Sequence, residues 1–240
     1  RRAFKIAQTG RPGPVLIDIT KDATANSCEY EPVVPEPIKR VSETIKEEDL
    51  EKAAKIINKA KRPFFLVGGG AVISEASEEV TEFAHKLNAP VADSLMGKGA
   101  FPGTDDLYTG MIGMHGTKVA NFGIHQADVV VVIGARFSDR VVGNAKKFVP
   151  KAKIVQIDID KAEINKNIMI DQPVIGDVKE VLVRLLPLIN ERPADEWNKD
   201  IEELKAKYPL TYDQSGLTGP YVVEEIYRAT KGEAIISTDV

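Results

Sequence analysis

The sequence predicts an α/β fold in which one parallel sheet carries helices on both faces. Strands and helices alternate along the chain, and the strands are apolar throughout, as in Val129–Ile133. A parallel sheet that is covered on both sides needs such unbroken apolar strands, because neither of its faces meets water. The composition agrees: 43% of the 240 residues are hydrophobic and 28% are charged, an ordinary mixture for a globular domain.

The individual elements follow from spacing and punctuation. Leu50, Ala53 and Ile57 recur at helical spacing, so residues 46–61 are predicted to form an amphipathic helix, which Pro63 ends. The same reasoning gives a series of alternating strands and helices further along. These are a strand at 64–67, a helix at 74–87 with Ser74 as its N-cap, a strand at 90–92, a helix at 117–126, strands at 128–133, 153–158 and 174–175, and a helix at 178–190.

The beginning of the chain has a different pattern. Residues 1–7 are typical of the last turns of a helix, and residues 15–19 of a buried strand. Residues 24–40 contain three prolines and no apolar period, which predicts an extended linker, since each proline keeps the preceding residue out of the helical region.

The end of the chain becomes more charged after residue 190. Its pattern predicts helices at 195–207 and 221–230 and a strand at 234–237. We therefore expect a segment of a longer protein with three parts. These are the C-terminal end of one domain at 1–25, a central domain with its entry linker at 26–190, and a linker with the start of another domain at 191–240.

Composition excludes several classes of function. The 32 basic and 36 acidic side chains give a net charge of −4, so no basic excess exists for binding nucleic acid. The single cysteine, Cys28, forms no internal disulfide and no cysteine-rich zinc site. The longest apolar run has five residues, whereas a membrane span needs about 20.

A glycine triplet, Gly68 to Gly70, lies between a predicted strand and a predicted helix. Glycines at such a position let backbone N–H groups approach a pyrophosphate at a helix N-terminus. The spacing departs from the dinucleotide fingerprint, because Ile73 stands where the third glycine belongs. The triplet therefore predicts either a phosphate-binding turn or a tight structural turn.

Two arginines follow the most apolar strand of the chain. Arg136 and Arg140 are spaced so that they could clamp a phosphate or a carboxylate through paired hydrogen bonds. The alternative is that both are solvated and pair with an acid such as Asp139.

Carboxylates follow two further strands. Asp158 and Asp160 end one strand, and Asp177 follows another. A carboxylate at such a position either binds ribose hydroxyls or caps the next helix. We expect Asp160 to cap and Asp158 to face the crevice at the strand ends, and both alternatives stay open for Asp177.

The three histidines do not form a metal site. His115 lies between glycines on a predicted loop and is a candidate for contact with a ligand, whereas His85 and His125 fall in predicted helices. Their spacing matches no set of metal ligands. Cys28 has no histidine near it in sequence to activate it, so no catalytic thiol is predicted.

Five motifs taken together resemble the acetolactate synthase family of thiamine-diphosphate enzymes, in particular its large, catalytic subunits. The resemblance covers essentially the whole chain, with the motifs in the family's order. They are GRPGPVLIDITKD at 10–22, GMHGT at 113–117, ARFSDRV at 135–141, IDID at 157–160 and GDV at 176–178.

The resemblance implies that the central domain binds FAD. It also implies that Lys21 and Arg140 line the substrate channel, where a cation suits the carboxylate of a 2-keto acid. The FAD-binding positions that it implies are Arg11, Gly68, Gly69, Gly70, Ser94, Leu95, Met96, Gly113, Met114, His115, Gly134, Arg136, Arg140, Asp158, Ile159, Asp177 and Val178.

The resemblance also implies what the complete enzyme does. It is expected to be a transferase of branched-chain amino-acid biosynthesis that condenses two pyruvates, or pyruvate and 2-ketobutyrate, into 2-acetohydroxy acids with loss of CO2. In the family, thiamine diphosphate and Mg²⁺ bind outside this segment, and the catalytic glutamate also lies outside it. We therefore expect no catalytic residue and no metal ligand here, and no activity from the segment alone.

The family resemblance further implies an assembly and a location. It implies a homodimer or a homotetramer, a possible regulatory small subunit and a cytoplasmic protein, with no nucleic-acid partner and no membrane. Two alternatives remain for the function. One is the central domain of another thiamine-diphosphate enzyme that carries FAD, such as pyruvate oxidase or glyoxylate carboligase. The other is a free-standing nucleotide-binding module.

Overall fold

The computed structural model describes residues 2–34 and 45–237. Within these residues, six parallel strands form a sheet in the order β3-β2-β1-β4-β5-β6. The strands are β1 Pro63–Val67, β2 Val91–Asp93, β3 Tyr108–Met111, β4 Val129–Ile133, β5 Lys153–Asp158 and β6 Gln172–Ile175.

The strand order is that of a doubly wound fold, in which the chain first winds to one side of β1 and then to the other. β1 pairs with β2 through Phe65 and Val91, and with β4 through Phe65 and Val131. The order therefore reverses between β1 and β4. Ligands of such sheets bind at this point, outside the carboxyl ends of the strands.

Helices cover both faces of the sheet, as the apolar strands predict. The α-helices of the described residues are α1 Arg2–Gln8, α2 Lys21–Ala25, α3 Glu47–Ile57, α4 Gly69–Ile73, α5 Ser77–Leu87, α6 Lys118–Gln126, α7 Asp139–Val142, α8 Val178–Leu185, α9 Glu196–Lys207 and α10 Gly219–Thr230. Short 3₁₀ helices lie at Leu95–Gly97, Ala145–Lys147, Lys161–Glu163 and Leu186–Leu188.

Alternate residues of each strand enter two separate cores. On one face, Phe65 and its neighbours pack against α3, α4, α5 and α8. On the other face, Phe64 and Leu66 pack against α6 and α9. Because both faces are buried, β1 and β4 contain only buried residues.

Helix α9 packs against the sheet although it comes after residue 190, where we expect the central domain to end. Its Trp197 and Ile201 are 2% exposed, and the Trp197 Nε1–H donates a hydrogen bond to the carbonyl oxygen of Pro63 at 2.9 Å. The segment after residue 190 thus completes one face of the central sheet. By contrast, none of the residues of α10 is buried.

Two predicted strands are wrong. Residues 15–19 form no strand and pair with no strand of the described chain, and Leu16 is 94% exposed. Residues 234–237 also lie outside any strand. The apolar pattern is present in both segments, but a strand also needs a neighbouring edge for its N–H and C=O groups. The linker predicted at 24–40 overlaps the end of α2 at residues 24–25; residues 26–34 form neither helix nor strand, and residues 35–40 lie outside the described residues.

The prediction of Ser74 as an N-cap is also wrong, because the helix predicted at 74–87 begins only at Ser77, as α5, and a separate short helix, α4, precedes it. α4 begins at the glycine triplet, and the chain turns at Glu75, which has a φ of 54°. Ser74 lies at the end of α4, where its hydroxyl donates to Asp177 Oδ1 at 2.5 Å. β3 was not predicted, since Gly110 interrupts its apolar pattern; this glycine has a φ of 99°.

Candidate functional site

A cavity of about 350 Å³ lies at the carboxyl ends of the strands, where the strand order reverses. Residues that follow β1, β2, β4, β5 and β6 line it, together with residues of the N-terminal segment. The lining residues are Gly10, Arg11, Pro12, Gly69, Gly70, Ile73, Ser94, Leu95, Met96, Gly134, Ala135, Arg136, Ser138, Arg140, Val141, Asp158, Ile159, Glu163, Asp177 and Val178.

Glycines bring the turns after β1 and β4 into direct contact at the floor of this cavity. The Gly68 N–H donates to the carbonyl oxygen of Ile133, and the Gly70 N–H donates to that of Gly134, both at 2.9 Å. A Cβ atom on Gly68 would overlap the backbone of Gly134 and Ala135. Two of the three amides of the triplet thus bond the neighbouring turn, and Gly68 itself is buried beneath the cavity rather than lining it.

Three arginines line the cavity, and they differ in the partners that their guanidinium groups contact. Arg136 is exposed and makes no ion pair or hydrogen bond within the part of the chain that the structure describes. Arg140 contacts Met114 Sδ at 3.7 Å and Asp139 at 4.0 Å. Arg11 pairs with Glu163 at 3.4 Å and Asp160 at 3.7 Å. The guanidinium of Arg136 is therefore available to an anion.

Carboxylates line the part of the cavity that follows β5 and β6. Asp158 ends β5, and its Oδ1 accepts the N–H of Asp160 at 2.9 Å. Burial raises the pKa of the Asp158 carboxyl, and this hydrogen bond from Asp160 opposes the rise. Gln156, two residues earlier in β5, is fully buried. A buried acceptor at a strand end suits a hydroxyl donor such as that of a ribose.

Of the two alternatives for Asp177, the structure shows helix capping, and it also places the residue at the cavity. Its Oδ1 caps α8 by accepting the N–H groups of Lys179 and Glu180 at 3.1 and 3.4 Å, and the residue also lines the cavity. Asp160 caps the short 3₁₀ helix after β5, as expected, by accepting the N–H of Ala162 at 2.9 Å.

Apolar side chains form the outer rim of the cavity. Ile73, Leu95 and Met96 are 59%, 67% and 74% exposed, although all three lie beside buried strand ends. Exposed apolar side chains around a cleft with a few polar groups are typical of a binding site for a ligand with flat, apolar parts.

Most of the residues predicted for the cofactor site come together in this cavity. Gly68, Gly113, Met114 and His115 do not line it. The Gly113 loop is nevertheless adjacent, because the Met114 N–H donates to the carbonyl oxygen of Arg140 at 2.9 Å. Lys21 begins α2 and also lies outside the lining residues.

Sequence reasoning missed several lining residues. The missed residues are Gly10, Pro12, Ile73, Ala135, Ser138, Val141 and Glu163. Glu163 is buried and holds Lys166 at 3.0 Å as well as Arg11. Its position five residues after β5 is the signal that would have placed it at this edge of the sheet.

Two kinds of feature are absent from the described ranges 2–34 and 45–237. Within them, no three His, Cys, Asp or Glu side chains are grouped so that they could hold a metal ion. None of the helices in these ranges has both the length and the apolar character that a membrane crossing requires.

Known proteins with similar sequences give a consistent result. Residues 50–185 match the family described as "Thiamine pyrophosphate enzyme, central domain"; thiamine pyrophosphate is another name for thiamine diphosphate. The acetolactate synthase large subunit of Haemophilus influenzae is 42% identical over 252 aligned residues, which cover 100% of this chain and 44% of that protein. The acetolactate synthase isozyme 3 large subunit of Escherichia coli is 38% identical, with the same two coverages.

An archaeal relative extends the comparison. The probable acetolactate synthase large subunit of Methanocaldococcus jannaschii is 46% identical over 85% of this chain and 36% of its own length. The chain thus spans less than half the length of these curated relatives. Since the family match covers more than half of the chain and coincides with the sheet that builds the cavity, the chain belongs to the thiamine pyrophosphate enzymes and contains their central domain.

Proposed function

We propose that the chain is the central part of an acetolactate synthase large subunit and that its cavity binds FAD. One observation carries the proposal of a dinucleotide: the cavity lies where the strand order reverses, between the turns after β1 and β4, and the residues after five strands line it. Dinucleotides bind doubly wound sheets at this point.

The chemistry of the lining residues fits FAD. A diphosphate needs a cation with hydrogen-bond donors, and Arg136 has no other partner among the described residues. A ribose needs acceptors, and the carboxylates of Asp158 and Asp177 line the cavity after β5 and β6. The flat rings need apolar contact, which Leu95 and Met96 offer at the rim. FAD, when bound, supplies a flavin ring, and the protein holds and orients it.

For the whole enzyme we propose the condensation of two pyruvates, or of pyruvate and 2-ketobutyrate, with loss of CO2. Thiamine diphosphate with Mg²⁺ supplies that chemistry, and both bind outside this chain. Lys21 and Arg140 would bind the substrate carboxylate. The names of the relatives, which are large subunits of acetolactate synthase, support the activity and a small regulatory subunit as partner. We also propose a cytoplasmic homodimer or homotetramer.

The domain arrangement is part of this proposal. Residues 1–25 would belong to the preceding domain, 26–190 to the FAD-binding domain and 191–240 to the connection with the following domain. The docking of α9 on the sheet, through Trp197 and Ile201, supports a connection that is fixed to the central domain over its first part.

The test is a pair of measurements on the full-length enzyme. Flavin fluorescence titration should show one FAD bound per chain, and acetolactate should form from pyruvate when thiamine diphosphate and Mg²⁺ are added. Flavin binding without acetolactate, accompanied by acetyl phosphate and peroxide or by tartronate semialdehyde from glyoxylate, would identify another flavin-carrying relative. Failure to bind flavin would contradict the assignment of the cavity.

A further inference from the structure

A cluster of three polar side chains holds the loop that follows β2. Asp93 at the end of β2 is 3% exposed, and its Oδ2 accepts the hydroxyl proton of Tyr108 at 2.8 Å. Lys98 Nζ lies 3.4 Å from Asp93 Oδ1 and donates to Tyr108 Oη at 3.1 Å. We call these three residues the Asp93 clasp. They do not line the cavity.

The clasp closes a loop of four residues that contains cavity-lining side chains. Asp93 and Lys98 flank residues 94–97, of which Ser94, Leu95 and Met96 line the cavity. An ion pair between the two ends of so short a loop restricts the positions that the three lining residues can take.

The other side of this loop is fixed against β1. The Ser94 N–H donates to the carbonyl oxygen of Val67 at 2.9 Å. A Cβ atom on Gly97 would overlap that carbonyl, and one on Gly69 would lie 3.1 Å from Met96 Cβ. The loop is therefore held between the glycine turn and the clasp, and the clasp is the side that depends on charge.

The surroundings favour a charged pair. Burial acts to lower the pKa of Lys98, but its hydrogen bond to Tyr108 and the charge of Asp93 outweigh burial and raise that pKa. Tyr108 is anchored independently, because its ring stacks on the core residue Phe101 with the centroids 6.4 Å apart. Lys98 Nζ also lies 5.9 Å from the centroid of the Tyr108 ring, within the range of a cation–π contact.

We propose that Lys98 is a positioning residue, which acts through the Asp93 clasp to hold Ser94, Leu95 and Met96 in the arrangement that binds the flavin cofactor. The proposal rests on the proposed function, since it presumes that FAD is the ligand. Neither Lys98 nor Asp93 lines the cavity, so neither would touch the cofactor. Without the ammonium group, the buried carboxylate of Asp93 keeps, among the residues that the structure describes, only the Tyr108 hydroxyl as a side-chain partner. The loop should then rearrange so that water reaches the carboxylate.

The experiment compares FAD dissociation constants by fluorescence titration of the full-length enzyme. Lys98→Met should weaken FAD binding by at least about tenfold, and Lys98→Arg, which keeps the charge, should restore it to within about threefold. The matched control is Lys52→Met, because Lys52 also pairs with one carboxylate, Glu48 at 2.6 Å, but on the exposed face of α3. That variant should bind FAD as the wild type does.

Tyr108→Phe provides a milder test if Lys98→Met fails to fold. It removes one hydrogen bond to Asp93 and keeps the ion pair, so we expect FAD binding to weaken by about twofold to tenfold. The apo form of each variant is also unfolded with urea. A purely structural role would lower the urea midpoint while leaving the FAD dissociation constant of the folded protein unchanged.

The outcomes separate the two proposals. If the wild type binds FAD and both Lys98→Met and Tyr108→Phe bind it equally well, the positioning role is wrong and the proposed function stands. If Lys98→Arg is as weak as Lys98→Met, the charge is not what positions the loop, and the role is again wrong. If the wild type binds no flavin, both proposals fall.

Discussion

The N–H of Gly70 donates a hydrogen bond to the carbonyl oxygen of Gly134 at 2.9 Å, so the turns after β1 and β4 are joined at the floor of the cavity. The contact is so close that a Cβ atom on Gly70 would lie 2.8 Å from Gly134 Cα. Gly134 has a φ of 58°, in the left-handed region that favours glycine. The two glycines thus set how near the two central strand ends come to each other.

Substitution of Gly70 by alanine tests this contact. Alanine is the better helix former by about 1 kcal/mol, and Gly70 lies in α4, so propensity alone predicts stabilisation. The overlap with backbone atoms should instead destabilise the protein by about 1–3 kcal/mol. Urea unfolding measures the difference. Gly103→Ala is the control, because its Cβ would meet only Tyr108 Cε1, at an ordinary 3.8 Å. A Gly70→Ala protein at least as stable as the wild type would contradict the close approach.

Arg136 and Arg140 should affect different ligands in the full-length enzyme. Loss of a hydrogen bond to a charged group costs about 1.5–3 kcal/mol, so Arg136→Ala should weaken FAD binding by at least about tenfold. Arg140→Ala should raise the pyruvate KM more than it weakens FAD binding. Flavin titration and steady-state kinetics measure both effects.

Arg184→Ala provides the control for these two variants, since Arg184 pairs with Glu47 and neither residue lines the cavity. It should change neither quantity. Unchanged FAD binding in Arg136→Ala together with a large loss in Arg140→Ala would mean that the two roles are exchanged.

Asp158 should make the stability of the apo protein depend on pH. Burial raises its pKa in the folded state, so above the ordinary aspartate pKa of about 3.9 the folded protein keeps a proton that the unfolded chain has lost. Stability therefore falls as pH rises through this window, and the loss is complete once pH exceeds the folded pKa. Asp158→Asn removes this contribution.

Urea unfolding between pH 4 and pH 7 measures the effect. Between pH 4 and pH 7, the Asp158 contribution should lower the free energy of unfolding of the wild type. The Asp158→Asn protein should lack this decrease. The exposed Asp139 offers a control, since its side chain is 84% exposed and Asp139→Asn should leave the free energy of unfolding within about 0.5 kcal/mol at each pH. Parallel pH profiles for the wild type and Asp158→Asn would disprove the assignment.

Trp197 should stabilise the central sheet from beyond residue 190. Trp197→Ala removes a buried ring, which typically costs about 3–5 kcal/mol. Trp197→Phe keeps most of the ring but loses the hydrogen bond to Pro63, which costs about 1–2 kcal/mol. Tyr227→Ala, at an aromatic residue that is 61% exposed on α10, should have an effect within about 0.5 kcal/mol. If Trp197→Ala resembled this control in urea unfolding, α9 would not be part of the folded unit.

The fold was predicted correctly where burial leaves an unambiguous pattern. β1 and β4 are buried on both faces and therefore read as unbroken apolar runs, and α3 has one apolar stripe. The same pattern at residues 15–19 led to a wrong prediction, because an apolar pattern does not show whether a neighbouring strand is present to pair with. β3 shows the reverse case, a real strand without the apolar pattern. Gly110 interrupts that pattern because the Thr117 side chain occupies the space that a side chain at residue 110 would need.

The cavity could be anticipated only in outline. Parallel strands bring their carboxyl ends to one edge, so the residues after each strand were expected to meet. Contacts between loops are not visible in this way. The clasp joins Asp93 to Tyr108, 15 residues away, and Ser74 reaches Asp177 across 103 residues. Nothing in the local spacing of these residues indicates their partners.

The cavity has a consequence for how the protein assembles. Apart from Gly10 to Pro12, its walls come from the ends of strands between residues 69 and 178, and every strand pairing is parallel, so each joins segments that are distant along the chain. No partly folded form that lacks one of the pairings among β2, β1, β4, β5 and β6 has the complete cavity. A ligand of the cavity therefore binds only the finished sheet, and at 100 times its dissociation constant it adds about 2.7 kcal/mol to the stability of the whole domain. Ligand retention is thus a measure of completed folding of these strands, and a substitution far from the cavity that lets the edge strand β6 detach should release the ligand before the domain unfolds.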